Sequence, residues 1–303
     1  MKLIKYFNLP DLLILAISLL IFKIGFLDIQ AGAAQALSYW QYLLFILATV
    51  LVAAGGFFMN NLFSVGKDAN PDVTEANGFN IYIALNVAGI GLAWYLGNTV
   101  GKPMQLIGTF MIAAGTMYFY ANGLKQMIIV SNILVALLIA LPVILVALFQ
   151  LYPLVAISSV ETSQMLGLLF KVLTDYIIFA FVIGLLLTFV NDLTQTDADY
   201  NSDVTTLPIL IGRARTTKIV LGLTIVPVGM VLYYANDHLL DLPYALAYVL
   251  LFIVGLLVYF MLKLFNAKTA KDFKHLEWIL KLVLLFTAFS IMVITYNIGY
   301  AKQ

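Results

Sequence analysis

The chain has 303 residues, of which 63% are hydrophobic and only 10% are charged, and its formal net charge is +1. A mean hydropathy of +1.02 excludes an ordinary soluble domain. The near-zero net charge gives no sign of a nucleic-acid partner, and we expect none. Cysteine is absent, which excludes disulfides, thiolate metal sites and a cysteine nucleophile. The composition therefore predicts an integral membrane protein embedded in a lipid bilayer.

Apolar runs long enough to span a bilayer occur along the whole chain. Nine are predicted, near residues 11–27, 39–62, 79–97, 103–121, 128–152, 168–190, 217–236, 243–265 and 277–300. Because the connections are short, we predict a single polytopic all-α membrane domain over residues 1–303, with about nine transmembrane helices. Lys2 and Lys5 precede the first run as in a signal peptide. That run has ordinary span length and many spans follow it, so we expect it to be a retained helix.

The distribution of basic residues predicts how the spans are oriented. With nine spans, the N-terminus shares one side of the membrane with every even-numbered connection. That side carries Lys2, Lys5, Lys67, Lys125, Arg213, Arg215, Lys218, Lys263, Lys268, Lys271 and Lys274. The other side carries only Lys102, Lys171 and Lys302. The positive-inside rule therefore predicts a cytoplasmic N-terminus in a multi-pass cell-membrane protein. We interpret Arg213 and Arg215 as topology or lipid-headgroup residues.

Two stretches carry nearly the same polar pattern, each directly after an apolar run. The first pattern comprises Asn60, Asn61, Ser64, Asp68, Asn70 and Asp72. The second comprises Asn191, Asp192, Gln195, Asp199, Asn201 and Asp203. Side chains three or four residues apart share a face if the helices continue through these stretches. Both patterns follow even-numbered spans, so both are predicted on the cytoplasmic side. We therefore predict two pseudo-repeats, about 1–125 and 126–303, that build one shared site.

Oxygen-bearing side chains make up both patterns, and no histidine or cysteine is nearby. Carboxylate and amide oxygens suit Mg²⁺, whereas Zn²⁺ prefers nitrogen or sulfur ligands. Carboxylates beside apolar spans are energetically costly, which favours a functional reason for them. The alternative is that these acids are solvated residues that cap helix ends. Their repetition in register favours the shared cation site.

The residues that follow the second pattern, together with both patterns, resemble the UbiA superfamily of intramembrane prenyltransferases. That family has Asn-Asp-x-x-Asp-x-x-x-Asp after its second helix and Asp-x-x-x-Asp after its sixth, followed by Thr-Leu-Pro-Val/Ile-x-x-Gly. The tail is complete here in Thr206, Leu207, Pro208, Ile209 and Gly212. The resemblance covers nearly the whole chain. It implies a fold of nine helices around a central cavity.

The resemblance also implies a reaction and a set of site residues. Mg²⁺ would hold the diphosphate of an isoprenyl donor, and a lipophilic acceptor would attack the allylic carbocation that forms as diphosphate leaves. The implied metal-binding residues are Asp68, Asp192, Asp199, Ser64 and Gln195, with Asp68 and Asp199 catalytic. The implied diphosphate-binding residues are Asn60, Asn61, Lys125 and Asp203. The alternative for Lys125 is a lysine that serves only the positive-inside rule.

Three acidic positions of the family motifs carry neutral residues here. Asn61 and Ser64 stand where the first motif has Asp, and Gln195 replaces the leading Asp of the second. Each can still offer an oxygen to Mg²⁺, but with less negative charge. Mg²⁺-assisted prenyl transfer is the primary hypothesis. The alternatives are a degenerate relative that binds a lipid or quinone-like ligand without transfer, and a transporter, since matched repeats also occur there.

Overall fold

The computed structural model describes residues 6–30, 35–64, 74–155, 157–201 and 204–301. All regular secondary structure within these ranges is helical. The α-helices are α1 (Leu9–Gly25), α2 (Tyr39–Ser64), α3 (Glu75–Thr99), α4 (Pro103–Asn122), α5 (Val130–Val146), α6 (Val160–Asn201), α7 (Leu207–Ile211), α8 (Arg213–His238), α9 (Pro243–Tyr248), α10 (Gly255–Asn266) and α11 (Ala270–Ala301). A π-helical turn, Val249–Val254, joins α9 to α10, so the two form one continuous helical segment.

Eight helical segments of the described chain are long and apolar enough to cross a membrane. They contain α1, α2, α3, α5, α6, α8, α9 with α10, and α11. The predicted span outside this set, residues 103–121, coincides with α4, a 20-residue helix in which Gln105, two threonines and two tyrosines dilute the apolar residues. The all-α membrane fold is therefore confirmed. The central cavity stays a prediction.

Helix α6 is much longer than the predicted span of residues 168–190. It has 42 residues, which at 1.5 Å per residue is about 60 Å, or twice the hydrocarbon thickness of a bilayer. Its C-terminal part therefore extends beyond the apolar region and carries the second polar pattern in helical form. The backbone N–H of Val204 donates to the carbonyl oxygen of Asp199 at 2.9 Å and satisfies one carbonyl of the last turn.

The chain divides into two compact units. Unit 1 comprises Met1–Leu20, Gly32–Lys125 and Leu141–Thr174. Unit 2 comprises Ile21–Ala31, Gln126–Ala140 and Asp175–Gln303. The predicted pseudo-repeats, with their boundary near residue 125, stay a prediction.

Unit 1 contains a tightly packed group formed by α2, α3 and α4. At Gly89 of α3, an added Cβ would lie 2.7 Å from Cγ2 of Val52 and 2.9 Å from the carbonyl oxygen of Ala48, both on α2. Small residues of this kind let membrane helices approach closely and gain van der Waals contact. The Tyr82 hydroxyl of α3 donates to the carbonyl oxygen of Ala114 on α4 at 2.7 Å. These contacts position the end of α2, where the first polar pattern begins.

A buried glutamine orders the entry into α2. Gln150 is 0% exposed and lies in the π-helical turn Ala147–Leu151 that follows α5. Its Oε1 accepts a hydrogen bond from the N–H of Leu37 at 3.0 Å. Its carbonyl oxygen accepts one from the N–H of Ala36 at 3.3 Å. Backbone groups just ahead of α2 are thereby satisfied away from water, where an unpaired amide costs about 1–3 kcal/mol.

Unit 2 has an apolar core shared by α6, α8, α9, α10 and α11. Its fully buried members include Ile183, Leu193, Val220, Leu257, Phe260 and Leu280. The hydroxyls of Tyr176 on α6 and Ser290 on α11 are hydrogen-bonded at 2.8 Å. The Asn297 Oδ1 of α11 accepts from the N–H of Ala245 on α9 at 3.0 Å. Polar links of this kind fix which residues face each other, because apolar packing alone tolerates sliding along the helix axis.

The packing at Gly89 yields a stability prediction with a control on the same helix. Gly89→Ala should destabilise the protein by about 1–3 kcal/mol, since the new methyl must displace Val52 and Ala48. Gly91→Ala should be neutral or slightly stabilising, because nothing lies within 4 Å of its added Cβ and alanine favours helix. Unfolding by SDS in mixed micelles, followed by circular dichroism, measures both. Equal midpoints for the two variants would contradict the close α2–α3 contact.

Candidate functional site

The described part of the first polar pattern lies at the end of α2 in unit 1. Asn60 and Asn61 are half-buried there, and Ser64 is the last residue of the helix. The Asn61 Nδ2 donates to the carbonyl oxygen of Tyr6 at 2.9 Å, which ties the N-terminal segment to this motif. The amide nitrogen is thereby used within the protein, so the Asn61 oxygen is the atom suited to a cation. Asp68 and Asp72, the acids of this pattern, lie outside the described residues.

The second polar pattern lies on a single continuous helix in unit 2. Asp192, Gln195 and Asp199 follow each other at intervals of three and four residues on α6, so they form one stripe. Asp192 and Gln195 are half-buried and Asp199 is only 3% exposed, whereas Asp197 is exposed. The stripe therefore faces the protein. Helical continuity, which the sequence left conditional, brings these three predicted metal-binding residues onto one face.

The spacing along α6 limits how these residues can share a metal ion. Asp192 and Asp199 are seven residues apart, about 10 Å along the helix axis. Two oxygens bound to the same Mg²⁺ lie within roughly 4 Å of each other, because each Mg–O distance is about 2.1 Å. Gln195 lies between the two carboxylates, one turn from each. The predicted ligands on α6 therefore form two overlapping pairs, Asp192 with Gln195 and Gln195 with Asp199.

Hydrogen bonds orient two members of this stripe. Asn132, 4% exposed in the first turn of α5, donates from Nδ2 to the Asp192 Oδ2 at 2.9 Å. The Gln195 Nε2 donates to the Asn191 Oδ1 at 2.9 Å, one turn earlier on α6. Gln195 thus uses its nitrogen within the helix, and its oxygen is the atom suited to a cation. Supporting bonds of this kind hold ligands in place and tune metal affinity.

An ion pair ties the end of α6 to the start of α8. The Arg213 Nη2 lies 2.8 Å from the Oδ1 of Asp197, which is exposed and lies outside the stripe. Gly212 precedes Arg213 with a φ of +90°, a left-handed conformation that favours glycine and lets α7 turn into α8. The interpretation of Arg213 as a topology or headgroup residue did not include this contact. Because Asp197 and Arg213 are 16 residues apart and a turn intervenes, no local pattern predicted it.

Two predicted diphosphate-binding residues remain, Lys125 and Asp203. Lys125 is half-buried in a short 3₁₀ turn, Leu124–Gln126, after α4 in unit 1. Asp203 lies outside the described residues. Within the described ranges, no group of three or more His, Cys, Asp or Glu side chains is arranged to hold a metal. The shared site built from both motifs therefore stays a prediction. The donors on α6, two carboxylates and an amide oxygen on one protein-facing stripe, nevertheless have the chemistry that fits Mg²⁺.

Comparison with known proteins adds family evidence to this geometry. No protein-family model matches the chain. A curated relative, digeranylgeranylglyceryl phosphate synthase of Sulfolobus acidocaldarius, is 28% identical over 222 residues, covering 70% of this chain and 69% of the relative. A solved structure concerned with digeranylgeranylglyceryl phosphate synthase in membranes aligns with 100% of this chain and 97% of its own, with a TM-score of 0.55 and 17% identity. That structural likeness shows a shared fold. The curated relative and the shared helical membrane fold support the resemblance of the chain to the UbiA superfamily of intramembrane prenyltransferases.

Proposed function

We propose that this protein transfers an isoprenyl group from an isoprenyl diphosphate to a lipophilic acceptor within the membrane, assisted by Mg²⁺. The curated relative, a synthase of digeranylgeranylglyceryl phosphate, supports prenyl transfer as the type of reaction. The observation that carries the proposal is the stripe of Asp192, Gln195 and Asp199. Oxygen donors on a protein-facing helix surface, next to apolar spans, are what a cation-assisted reaction on a lipid-like substrate requires.

The residues of the chain have separate roles in this proposal. Bound Mg²⁺ supplies positive charge that stabilises the departing diphosphate. Asp192, Gln195 and Asp199 would hold it from α6, and Asp68 and Ser64 from the first motif. Asn132 positions Asp192 through its 2.9 Å hydrogen bond. The diphosphate would be bound by Asn60, Asn61, Lys125 and Asp203.

The proposed chemistry is a substitution at the allylic carbon. The bond between that carbon and the diphosphate oxygen breaks, and its electron pair leaves with diphosphate. A lone pair or π-electron pair of the acceptor forms the new bond, and the acceptor then loses a proton. Water would compete for the allylic cation, so the apolar surroundings of the site protect it.

A second candidate function is binding of a lipid or quinone-like ligand without transfer. Neutral residues at Asn61, Ser64 and Gln195 replace motif acids and favour this alternative. The side-chain amide nitrogens of Asn61 and Gln195 also donate hydrogen bonds within the protein, to the Tyr6 carbonyl oxygen and the Asn191 Oδ1 respectively. An assay that separates ligand binding from diphosphate release distinguishes the two functions.

Loss of a motif carboxylate should abolish Mg²⁺-dependent diphosphate release. Asp68→Asn and Asp199→Asn should each lower the rate by at least about a hundredfold, because bound metal contributes several kcal/mol to transition-state stabilisation. The measurement uses purified protein in lipid with labelled geranylgeranyl diphosphate, Mg²⁺ and a panel of acceptors. Asp241→Asn, an exposed aspartate between α8 and α9, is the control and should retain the rate. Tight donor binding with no release by the unaltered protein would support the non-transferring alternative.

The hydrogen bond from Asn132 gives a separate prediction about metal affinity. Asn132→Leu, of similar volume, removes the donor to Asp192 and should raise the Mg²⁺ concentration for half-maximal rate by about 10–100-fold. Saturating Mg²⁺ should restore much of the rate, since the ligand itself remains. Asn266→Leu is the control, because the Asn266 side chain is exposed and bonds only its own helix, at Leu262. An unchanged Mg²⁺ dependence in Asn132→Leu would contradict the proposed role of Asn132 in positioning Asp192.

We further infer that the N-terminus and the α10–α11 connection face the cytoplasm, as the basic residues predict. Because the chain lacks cysteine, single cysteines test this directly. Ala270→Cys, at the start of α11, should react with a membrane-impermeant maleimide only after cells are permeabilised. Leu240→Cys, 62% exposed between α8 and α9, should react in intact cells. The opposite labelling pattern would reverse the orientation.

A further inference from the structure

Exposed basic side chains gather at one end of unit 2. This group, called the basic end, comprises Arg215, Lys218, Lys263, Lys268, Lys271 and Lys274, all of them exposed. Helix α8 begins at the basic end. A short connection follows α8, and the continuous segment of α9 and α10 then returns the chain to the basic end, where α10 ends. The connection 267–269 then leads directly into α11. The basic end is therefore formed by three neighbouring helix termini in one unit.

Two nearby acidic side chains, Asp272 and Asp197, have partners other than these six basic side chains' charged groups. The Asp272 Oδ2 accepts from the N–H of Lys268 at 3.1 Å, and from the N–H and hydroxyl of Thr269 at 2.9 and 2.8 Å. Asp272 thus caps the start of α11. Asp197 forms its salt bridge with Arg213, which is not part of the basic end. Within the described ranges, none of the six basic side chains forms a salt bridge, and the six cations outnumber the exposed carboxylate of Asp272 among them, so the basic end presents net positive charge to solvent.

Exposed apolar and aromatic residues lie directly beside this charge. Leu262 and Phe265 on α10 are 65% and 77% exposed, and Trp278 on α11 is 42% exposed. The Nζ of Lys263 lies 5.5 Å from the ring centroid of Tyr259, one turn earlier. Helix α11, with 32 residues, is about 48 Å long and exceeds the roughly 30 Å hydrocarbon core. Its first turns therefore reach the headgroup region, with aromatic side chains at the interface beneath them.

We propose that the basic end binds the headgroups of anionic phospholipids, so that unit 2 selects anionic over neutral lipid. Charge complementarity identifies the partner, because six exposed cations without salt bridges face the depth at which lipid phosphates lie. The flanking apolar residues would contact the acyl chains of the same lipids. The bound lipid would hold the starts of α8 and α11 at the membrane surface. This inference is independent of prenyl transfer.

Tryptophan quenching by brominated lipid tests the proposal on the full chain. Replacing the exposed Trp40 and Trp94 by Phe leaves Trp278 as the remaining tryptophan of the three in the sequence. In reconstituted vesicles, brominated phosphatidylglycerol should quench Trp278 more strongly than brominated phosphatidylcholine at equal mole fraction. The variant with Lys271→Gln and Lys274→Gln should lower this preference, by up to about fivefold per cation removed. Raising the salt concentration should lower it further.

A charge-matched control separates the basic end from total charge. The variant with Lys102→Gln and Lys171→Gln removes two cations from the predicted opposite side and should keep the preference. Circular dichroism verifies that each variant is folded, and Arg215→Gln with Lys218→Gln provides a second, independent reduction. Equal quenching by the two lipids, or equal loss in the control variant, would overturn the proposal. Displacement of the brominated anionic lipid by the same concentration of inorganic phosphate would also overturn it, in favour of a free-anion site.

Discussion

A bilayer offers no water to a backbone amide or carbonyl, and this constraint accounts for the architecture of the described chain. Every backbone polar group at membrane depth must be satisfied within the protein, which favours helices throughout. Polar side chains inside the apolar region likewise need hydrogen-bond partners within the protein. Gln150 satisfies backbone groups ahead of α2, and Tyr176 pairs with Ser290 in the core of unit 2. Such bonds contribute to stability and also fix how the helices are aligned.

The same constraint explains why the carboxylates of the second motif need polar partners. Carboxylates near apolar spans are costly, so the fold must provide them with polar partners or leave them to a ligand. Asn132 supplies one partner to Asp192, and the length of α6 places the stripe near the end of the helix, where the apolar span gives way to polar residues. Asp199 is almost fully buried, which favours tight interaction with a cation because the surroundings screen charge weakly. The substitution of Gln195 for a motif acid reduces the charge of the stripe while keeping its oxygen donors.

The two ends of unit 2 differ in charge, and the difference has a physical consequence for the membrane. The end with the starts of α8 and α11 carries six exposed cations, whereas the last turn of α8 and its connection to α9 carry Asp237, His238 and Asp241. Such asymmetry orients a chain during insertion and attracts anionic lipid afterwards. The ion pair between Asp197 and Arg213 links the start of α8 to the last turns of α6.

Local properties of the sequence determined the fold class, the approximate span positions and the oxygen chemistry of the two polar patterns. Each depends on residues that are close in sequence: apolar runs of span length, and acids and amides at helical spacing. Only the three-dimensional structure showed how these patterns are arranged. Helix α6 continues through the second motif. Hydrogen bonds join Asn132 to Asp192, 60 positions apart, and Tyr6 to Asn61, 55 positions apart. No local pattern encodes these contacts, because they depend on which helices pack together and on where a buried polar group finds its partner.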